Sequence, residues 1–220
     1  MTAIQFKNVY IENENLSICE DISLKINKNE IVYLTGKTGI GKSSILKTLY
    51  GAQKIKKGTL NVLDFDMNKI NKKEIPFLRK KMGIVFQDFQ LLYDRNVYKN
   101  LSFVLQATGW EDKIKIKNRC EYILETIGLK EKINDMLYKL SSGQQQKLCI
   151  GRALLNHPEL IIADEPTGNL DSETSLEIMN LISKIHKLGT TIIITTHDEK
   201  IINLFPAKIL KLEERKLTEI

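Results

Sequence analysis

The sequence predicts an α/β fold in which a parallel sheet is covered by helices, and three observations predict it. Short apolar runs, LIIAD over 160–164 and TIIIT over 191–195, have the length and β-branched content of buried strands. Amphipathic helical segments alternate with these runs along the last third of the chain. A glycine-rich turn joins an apolar strand to a helix near residue 40. No repeat or long linker interrupts the pattern, so we expect 220 residues to form one domain.

The first third of the chain predicts strands followed by a single helix. Residues 1–35 contain three strand patterns, of which the first two alternate apolar and polar residues. The helix after the glycine-rich turn ends at Gly51, because glycine commonly terminates helices. Residues 58–67, GTLNVLDFDM, predict a further strand that leaves a turn.

The middle of the chain has a different character from either end. Over 89–150 the apolar residues recur at helical spacing, which predicts a helical subdomain. The last third predicts a strand, an amphipathic helix that ends at Gly189, a second strand and a short helix. We therefore expect a core formed by residues 1–88 and 151–220 with the helical subdomain inserted into it.

The net charge of the chain is basic, at +6 from 33 Lys+Arg and 27 Asp+Glu. Such a balance is compatible with nucleic acid or an anionic membrane as a partner. However, only five of the basic residues are arginines and the lysines are dispersed, whereas specific nucleic-acid readers depend on arginine. We expect no nucleic-acid partner and a charge that lies mostly on solvated faces. Two basic stretches, 54–57 and 79–81, could still lie against an anionic membrane.

The cysteines and the apolar runs predict a cytoplasmic protein. Cys19, Cys120 and Cys149 are odd in number, far apart and in no CxxC arrangement, which is typical of thiols in a reducing compartment. The first residues lack the charged and apolar regions of a signal peptide. No apolar run approaches the 18 residues or more that a membrane span needs.

The most specific pattern is a phosphate-binding loop that runs from Gly36 to Ser43 and fits G-x-x-x-x-G-K-[ST]. Glycines let the backbone approach phosphates, and the following helix directs its positive N-terminal dipole at the same anion. Lys42 is expected to reach the β- and γ-phosphates, and the Ser43 hydroxyl to ligate Mg²⁺. The alternative is an ordinary glycine-rich turn. The candidate nucleotide-binding residues are Gly36, Lys37, Thr38, Gly39, Ile40, Gly41, Lys42, Ser43 and Ser44.

Two neighbouring acids follow the strand over 160–164. Asp164 is at the carboxyl end of that strand, where ligands of parallel sheets bind, and is expected to hold Mg²⁺ through water. Glu165 is a candidate general base that polarises an attacking water; the alternative is a helix-capping or surface acid. His197 comes at the end of the next predicted strand and is a candidate contact for the γ-phosphate, unless it is a structural histidine.

A second set of motifs resembles the ATP-binding cassette family. Residues 140–144, LSSGQ, are similar to the family signature LSGGQ. Gln87 resembles the family's Q-loop glutamine, Asp171 its D-loop aspartate and His197 its switch histidine, so the resemblance covers essentially the whole chain. It implies a P-loop NTPase cassette with a RecA-like core, an antiparallel β subdomain and a helical subdomain. It also implies an ATPase with ATP and Mg²⁺ as cofactors.

The resemblance further implies a head-to-tail homodimer that forms on ATP. ATP would lie between the phosphate loop of one copy and the signature of the other, where Ser141, Ser142, Gly143 and Gln144 contact the γ-phosphate in trans. Gln87 would sense Mg²⁺ and the γ-phosphate and link them to the helical subdomain, and His197 would hold the γ-phosphate and the catalytic water. Ser142 replaces the first signature glycine, which would weaken the contact if that backbone needed a positive φ. Gly143 is retained, so we expect activity to survive; the alternative is a degenerate cassette that binds ATP without turnover.

The family also carries an adenine-stacking aromatic residue some 25 residues before the lysine of the phosphate loop. Ile11, Glu12 and Asn13 are near that place in this sequence, and Tyr10 is the nearest aromatic residue. Tyr10 is therefore the candidate adenine stacker, with an ordinary strand residue as the alternative.

Residues 88–101 indicate a subgroup of the family. They are similar to the cell-division, lipoprotein-release and macrolide-export ATPases, and most similar to the FtsE type of cell-division ATPase. That resemblance implies an ATPase on the inner face of the membrane, coupled to an integral subunit of FtsX type; lipoprotein release and macrolide export are the alternatives. We expect the apolar residues Phe89, Leu91, Leu92 and Tyr93 to be exposed at the rim of a docking groove, unless the segment is a surface loop with two core leucines.

Overall fold

The computed structural model describes residues 1–13 and 16–220. Its strands, in chain order, are β1 Thr2–Asn13, β2 Leu16–Asn27, β3 Ile31–Thr35, β4 Lys57–Val62, β5 Phe65–Asp66, β6 Met82–Val85, β7 Leu160–Asp164, β8 Thr191–Thr195, β9 Lys208–Glu213 and β10 Lys216–Glu219. Its helices are α1 Lys42–Leu49, α2 Ile75–Lys80, α3 Val97–Ala107, α4 Lys113–Thr126, α5 Ser142–Leu154, α6 Ser172–Lys187 and α7 Glu199–Leu204.

The strands form two sheets. The larger sheet has the order β10-β9-β3-β8-β7-β6, and all its pairs are parallel except β9 with β10. The smaller sheet, β2-β1-β4-β5, is antiparallel. In the larger sheet Leu34 and Asp164 are both in register with Thr195, so β3, β7 and β8 end at one edge. That edge is where a parallel α/β sheet binds its ligands.

Both faces of the central strands β3, β8 and β7 are buried, which explains their continuous apolar sequences. Tyr33 packs into the cluster formed with α3, α4, α5 and α6, whereas its neighbours Val32 and Leu34 pack into the cluster shared with α1 and the antiparallel sheet. This alternation is the two-residue period of a strand. The α/β fold class and the cassette fold that the sequence predicted are therefore confirmed.

Residues 89–150 contain α3, α4 and most of α5, in agreement with their helical pattern. Side-chain caps begin two of these helices, because Asn96 accepts a hydrogen bond from Lys99 N at the start of α3 and Asp112 does so from Ile114 N at the start of α4. α5 continues to Leu154, beyond the expected boundary at residue 150. The division into core and helical subdomain stays a prediction.

Two expectations about local structure are wrong in detail. The single strand over 58–67 is divided into β4 and β5, because the backbone turns at Leu63 with a φ of 52°. The apolar segment at 89–93 is not uniformly exposed: Leu91 lies in the core at 6% exposure and Phe89 packs against it, while Tyr93 is 56% exposed. Burial of a leucine side chain contributes roughly 1.5–3 kcal/mol, so the tertiary structure gains more by burying Leu91 than by leaving it at a rim.

Among the described residues, no helix combines the length and apolar character that a membrane crossing requires.

Candidate nucleotide site

A cavity of about 500 Å³ opens at the edge where β3, β7 and β8 end. The topology gathers these residues because parallel neighbours place their carboxyl ends, and the loops that follow, on the same side. The cavity is lined by Thr38, Gly39, Gly41, Lys42, Ser43, Ser44, Gln87, Asp164, Glu165, Gly168 and His197.

The phosphate loop between β3 and α1 adopts a conformation that only glycine accepts easily. Gly36 has a φ of 145° and Gly41 a φ of 114°. A Cβ on Gly36 would lie 2.6 Å from the carbonyl oxygen of Leu212, and one on Gly41 would collide with Ile18. Gly41 is also the N-cap of α1, so no side chain caps the helix and its first turn carries no acid. Ser44 N donates to Gly41 O at 3.0 Å, whereas the N–H groups of Lys42 and Ser43 have no acceptor among the described residues and are available to an anion.

Lys42 is buried at the bottom of the loop, with 6% of its surface exposed. Its Nζ donates to the carbonyl oxygens of Gly36, at 2.8 Å, and Lys37, at 3.2 Å. A buried ammonium group is costly without an opposite charge. Among the described residues no carboxylate lies within 4.0 Å of it. A phosphate would supply that charge.

Asp164 is oriented by two hydroxyl groups. Ser43 Oγ donates to Asp164 Oδ2 at 2.9 Å, and Thr195 Oγ1 donates to Asp164 Oδ1 at 2.6 Å. A serine hydroxyl and one carboxylate suit Mg²⁺, which prefers oxygen ligands and commonly binds through one or two carboxylates together with waters and substrate phosphates. The residues present therefore fit a magnesium–nucleotide complex.

Glu165 occupies an unusual backbone conformation. Its φ is 45°, in the left-handed region that costs a residue with a side chain about 1–3 kcal/mol. Its backbone N–H donates to Thr195 Oγ1 at 2.8 Å, so one buried threonine positions both acids. The carboxylate is 14% exposed, and His197 Nδ1 lies 3.3 Å from it. The two candidate catalytic groups are thus in contact at the cavity wall.

Two residues of this site were not predicted from the sequence. Thr195 is fully buried at the end of β8 and joins the two acids. Gly168 lines the cavity, and a Cβ there would lie 3.1 Å from Glu165 Oε2. The register of β7 against β8 places Thr195 beside Asp164, and this pairing is visible only in the structure. No signal in the sequence distinguishes Gly168.

The signature residues are outside this cavity and form the start of α5. Ser141 Oγ accepts from Gln144 N at 3.3 Å, and the Gln144 side chain accepts from Ser141 N at 3.1 Å, so the pair closes a capping box. Ser142 is the first residue of α5 and has a negative φ. Glycine is therefore not required at Ser142 by the backbone of this chain. Gly143 is buried, and a Cβ there would collide with Thr174 of α6.

Asp171 is also outside the cavity and caps α6. Its carboxylate accepts from Thr174 N at 2.9 Å and from Thr174 Oγ1 at 2.7 Å. These hydrogen bonds, the backbone one first, hold the pKa of Asp171 below its usual value. Tyr10 does not line the cavity either: it lies on β1, and the Lys57 ammonium is 5.2 Å from its ring centroid. The chain thus brings the loop, Gln87, Asp164, Glu165 and His197 together, but not Asp171, Tyr10 or the signature.

Comparison with known proteins agrees with this geometry. The family model described as "ABC transporter" matches residues 19–168. The cell division ATP-binding protein FtsE of Streptococcus pneumoniae is 38% identical over 218 residues, which cover 99% of this chain and 94% of that protein. The protein of the same name from Bacillus subtilis is 39% identical, with 96% and 92% covered. The ATP-binding cassette MJ0796, solved as a dimer in a post-hydrolysis state bound to ADP and Pi, superposes with a TM-score of 0.86 at 29% identity, covering 99% of this chain and 97% of that one.

Proposed function

The chain belongs to the ABC transporter family and is an ATPase of ABC type, and from this premise we propose that it couples ATP turnover to a membrane partner in cell division. The single observation that carries the ATPase chemistry is the meeting of the phosphate loop, Asp164, Glu165 and His197 at one sheet edge. The cell-division role is supported by the FtsE relatives, each of which matches over more than nine tenths of both lengths.

The phosphate loop binds the β- and γ-phosphates of ATP in this proposal. Lys42 turns from the carbonyl oxygens of Gly36 and Lys37 to the phosphates, which provide the charge that the buried ammonium lacks. The free N–H groups at the start of α1 add hydrogen bonds and a favourable dipole. Ser43 and, through water, Asp164 would hold Mg²⁺, which would neutralise charge on the phosphates.

Glu165 is the general base of the proposed reaction. It accepts a proton from a water whose oxygen bonds to the γ-phosphorus, while the bond from that phosphorus to the β–γ bridging oxygen breaks and ADP leaves. Its buried backbone contact with Thr195 holds the carboxylate at the cavity wall, and His197 beside it orients the water and the γ-phosphate. Gln87, which lines the cavity, would contact Mg²⁺ and the γ-phosphate.

A second copy of the chain completes the site. Ser141 and Ser142 are exposed at the start of α5 and do not line the cavity of their own chain. A helix start is suited to an anion, so a head-to-tail dimer directs Ser141, Ser142, Gly143 and Gln144 at the γ-phosphate of its partner, with Asp171 at the same interface. The dimeric MJ0796 cassette supports this arrangement.

The membrane partner is proposed to bind beside the segment that follows Gln87. Asn100 is buried there and closes the loop from Leu92 to Asn96, since its side chain accepts from Leu92 N and donates to the carbonyl oxygens of Leu92 and Asn96. The loop presents Tyr93, and Arg95 covers the exposed ring of Phe103 at 4.3 Å. A rigid loop with exposed aromatic groups is suited to docking a helix of an FtsX-type subunit. The protein would then be cytoplasmic and peripheral on the inner face of the membrane.

Magnesium-dependent phosphate release tests the ATPase assignment. Glu165→Gln should lower kcat by about 10²–10⁴-fold, the range for a general base, and should accumulate an ATP-bound dimer. Glu159→Gln is the matched control, because Glu159 precedes the same strand at its other end and pairs with Lys28 and Lys81. Equal rates for the wild type and Glu165→Gln would contradict the general-base role.

Co-purification from detergent-solubilised membranes tests the partner. Tyr93→Asp should reduce capture of the membrane subunit. Tyr122→Asp is the matched control, because Tyr122 is exposed to the same extent, at 57% against 56%. It should not reduce capture, since Tyr122 lies on α4 and lines another cavity. A partner of FtsX type supports the cell-division role. Capture of a lipoprotein-release or macrolide-export permease instead would overturn that role and leave the ATPase assignment intact.

A further inference from the structure

One helix, α5, contacts the segment that follows Gln87 with two of its side chains. The Arg152 guanidinium donates to the carbonyl oxygen of Phe89 at 2.7 Å from Nη2, and to that of Gln90 from Nη1. The Cys149 thiol donates to the same Phe89 oxygen at 3.2 Å. Cys149 and Arg152 are three residues apart and share one face of the helix. Burial raises the pKa of Cys149 to about 12, so the thiol keeps its proton at neutral pH.

The segment held by these donors has a strained backbone. Phe89 has a φ of 60° and Gln90 a φ of 51°, a conformation that is uncommon for residues with large side chains. Within the turn, Gln90 N donates to Asp88 O at 2.6 Å and Phe89 N to Phe86 O at 3.3 Å. Such a conformation persists only where surrounding groups hold it. Arg152 and Cys149 are positioned to hold it, because they bind the carbonyl oxygens of the strained residues.

The held turn runs from Phe86 to Gln90 and contains Gln87, which lines the nucleotide cavity. A rotation of the peptide groups at Phe89 and Gln90 would therefore move Gln87 relative to Asp164 and Ser43. The same helix begins at Ser142, directly after the Ser141 cap that faces a second copy in the proposed dimer.

We propose that Arg152 is a positioning residue: its two hydrogen bonds, assisted by the Cys149 thiol, keep Gln87 aligned with the magnesium–nucleotide complex. This inference rests on the proposed ATPase site and names a residue that acts on that site only through Gln87.

A matched arginine makes the proposal testable. Arg119 also binds two carbonyl oxygens, those of Leu155 at 2.9 Å and Leu154 at 2.6 Å, and it does not contact the segment after Gln87. Arg152→Gln and Arg119→Gln therefore remove equivalent clamps at different places. Both should lower the melting temperature, whereas only Arg152→Gln should lower kcat, by about tenfold or more, as expected when a positioned group is displaced by up to an ångström. Only Arg152→Gln should raise the Mg²⁺ concentration for half-maximal activity.

Arg152→Lys should restore part of kcat, because the ammonium can reach one of the two carbonyl oxygens. Cys149→Ala should shift the Mg²⁺ requirement in the same direction by a smaller factor, and it keeps the proposal testable if Arg152→Gln fails to fold. In a Gln87→Ala background Arg152→Gln should cause no further loss of kcat, because residues that act through one group are not additive.

Three outcomes would overturn the positioning role. The first is that Arg152→Gln and Arg119→Gln have the same kcat and the same Mg²⁺ requirement, and the second is that Arg152→Gln lowers kcat in the Gln87→Ala background by the same factor as in the wild type. The third applies if Arg152→Gln does not fold, and is that Cys149→Ala has an unchanged Mg²⁺ requirement. With an active wild type and an impaired Gln87→Ala variant, these outcomes leave the proposed function standing. A wild type without magnesium-dependent turnover would instead overturn both.

Discussion

The starts of α1 and α5 are both serine- and glycine-containing helix N-termini, yet the chain treats them differently. Gly41 leaves α1 without a side-chain cap, and its N–H groups open into a cavity that also contains Asp164 and Glu165. At α5 the Ser141 and Gln144 side chains satisfy each other's backbone in a capping box that faces solvent. The start of α1 has no side-chain cap and is suited to bind an anion in the cavity of the same chain. The start of α5 is stable alone, so it contributes to chemistry only when another molecule approaches it.

The largest effect that would sharpen this contrast is expected at Lys42. Lys42→Ala should lower both ATP affinity and phosphate release by about 100-fold or more, because it removes a preorganised positive charge from a buried site. Fluorescent-nucleotide titration and a phosphate-release assay measure the two quantities. Lys47→Ala, at an exposed position of the same helix, should change neither. Normal ATP binding by Lys42→Ala would show that α1 is not the nucleotide-binding helix start.

Ser141 should separate binding from turnover. Aspartate and asparagine cap helices as well as serine does, so both Ser141→Asp and Ser141→Asn should fold. Only the aspartate places a negative charge against the partner's phosphate, and like charges at an interface cost several kcal/mol. Ser141→Asp should therefore lose ATP-driven dimerisation and turnover while it binds ATP like the wild type. Dimerisation is measured by light scattering with Ser141→Asp introduced into the Glu165→Gln variant. A dimer that still forms on ATP would show that the start of α5 does not face the partner's phosphate.

The signature residues Ser142 and Gly143 should show an intermediate effect. Gly143→Ala places a methyl group against Thr174, and overpacking of this kind costs about 1–3 kcal/mol. We expect a lower melting temperature and slower phosphate release. Ser142→Gly, which restores the family pattern, should not raise activity, since Ser142 already has a negative φ. A marked gain of activity in Ser142→Gly would show that the serine side chain obstructs the interface.

The smallest effect is expected at Asp171 and depends on pH. A pKa held below its usual value means that Asp171 contributes stability above the unfolded pKa, near 3.9, and loses that contribution as the pH falls through the folded value. Asp171→Asn keeps a capping oxygen but removes the titration. Its melting temperature should be lower at pH 7 by at most about 2–4 °C, and this difference should vanish in acid. A difference that persists unchanged below the folded pKa would assign the effect to the cap geometry.

Local patterns were sufficient to predict much of the fold and most of the residues that line the cavity. The glycines of the phosphate loop, Lys42 and Ser43 are contiguous, so one stretch of backbone determines their geometry. Asp164 ends a buried strand and Glu165 follows it directly. The prediction was wrong where contacts with residues distant in sequence determine burial: Leu91, which was expected to be exposed, lies in the core. The sequence also left open whether Ser142 needs a positive φ, and the backbone of α5 shows that it does not.

The sequence by itself indicated the order strand, helix, strand, helix over 160–204, the phosphate loop and the two neighbouring acids, because each depends on residues a few positions apart. Only the tertiary structure decided that Thr195 holds both acids and that Arg152 reaches the strained turn after Gln87. Those contacts join residues that lie 30 to 63 positions apart. They exist only because the parallel register brings the strand ends to one edge and α5 packs across the segment that follows β6.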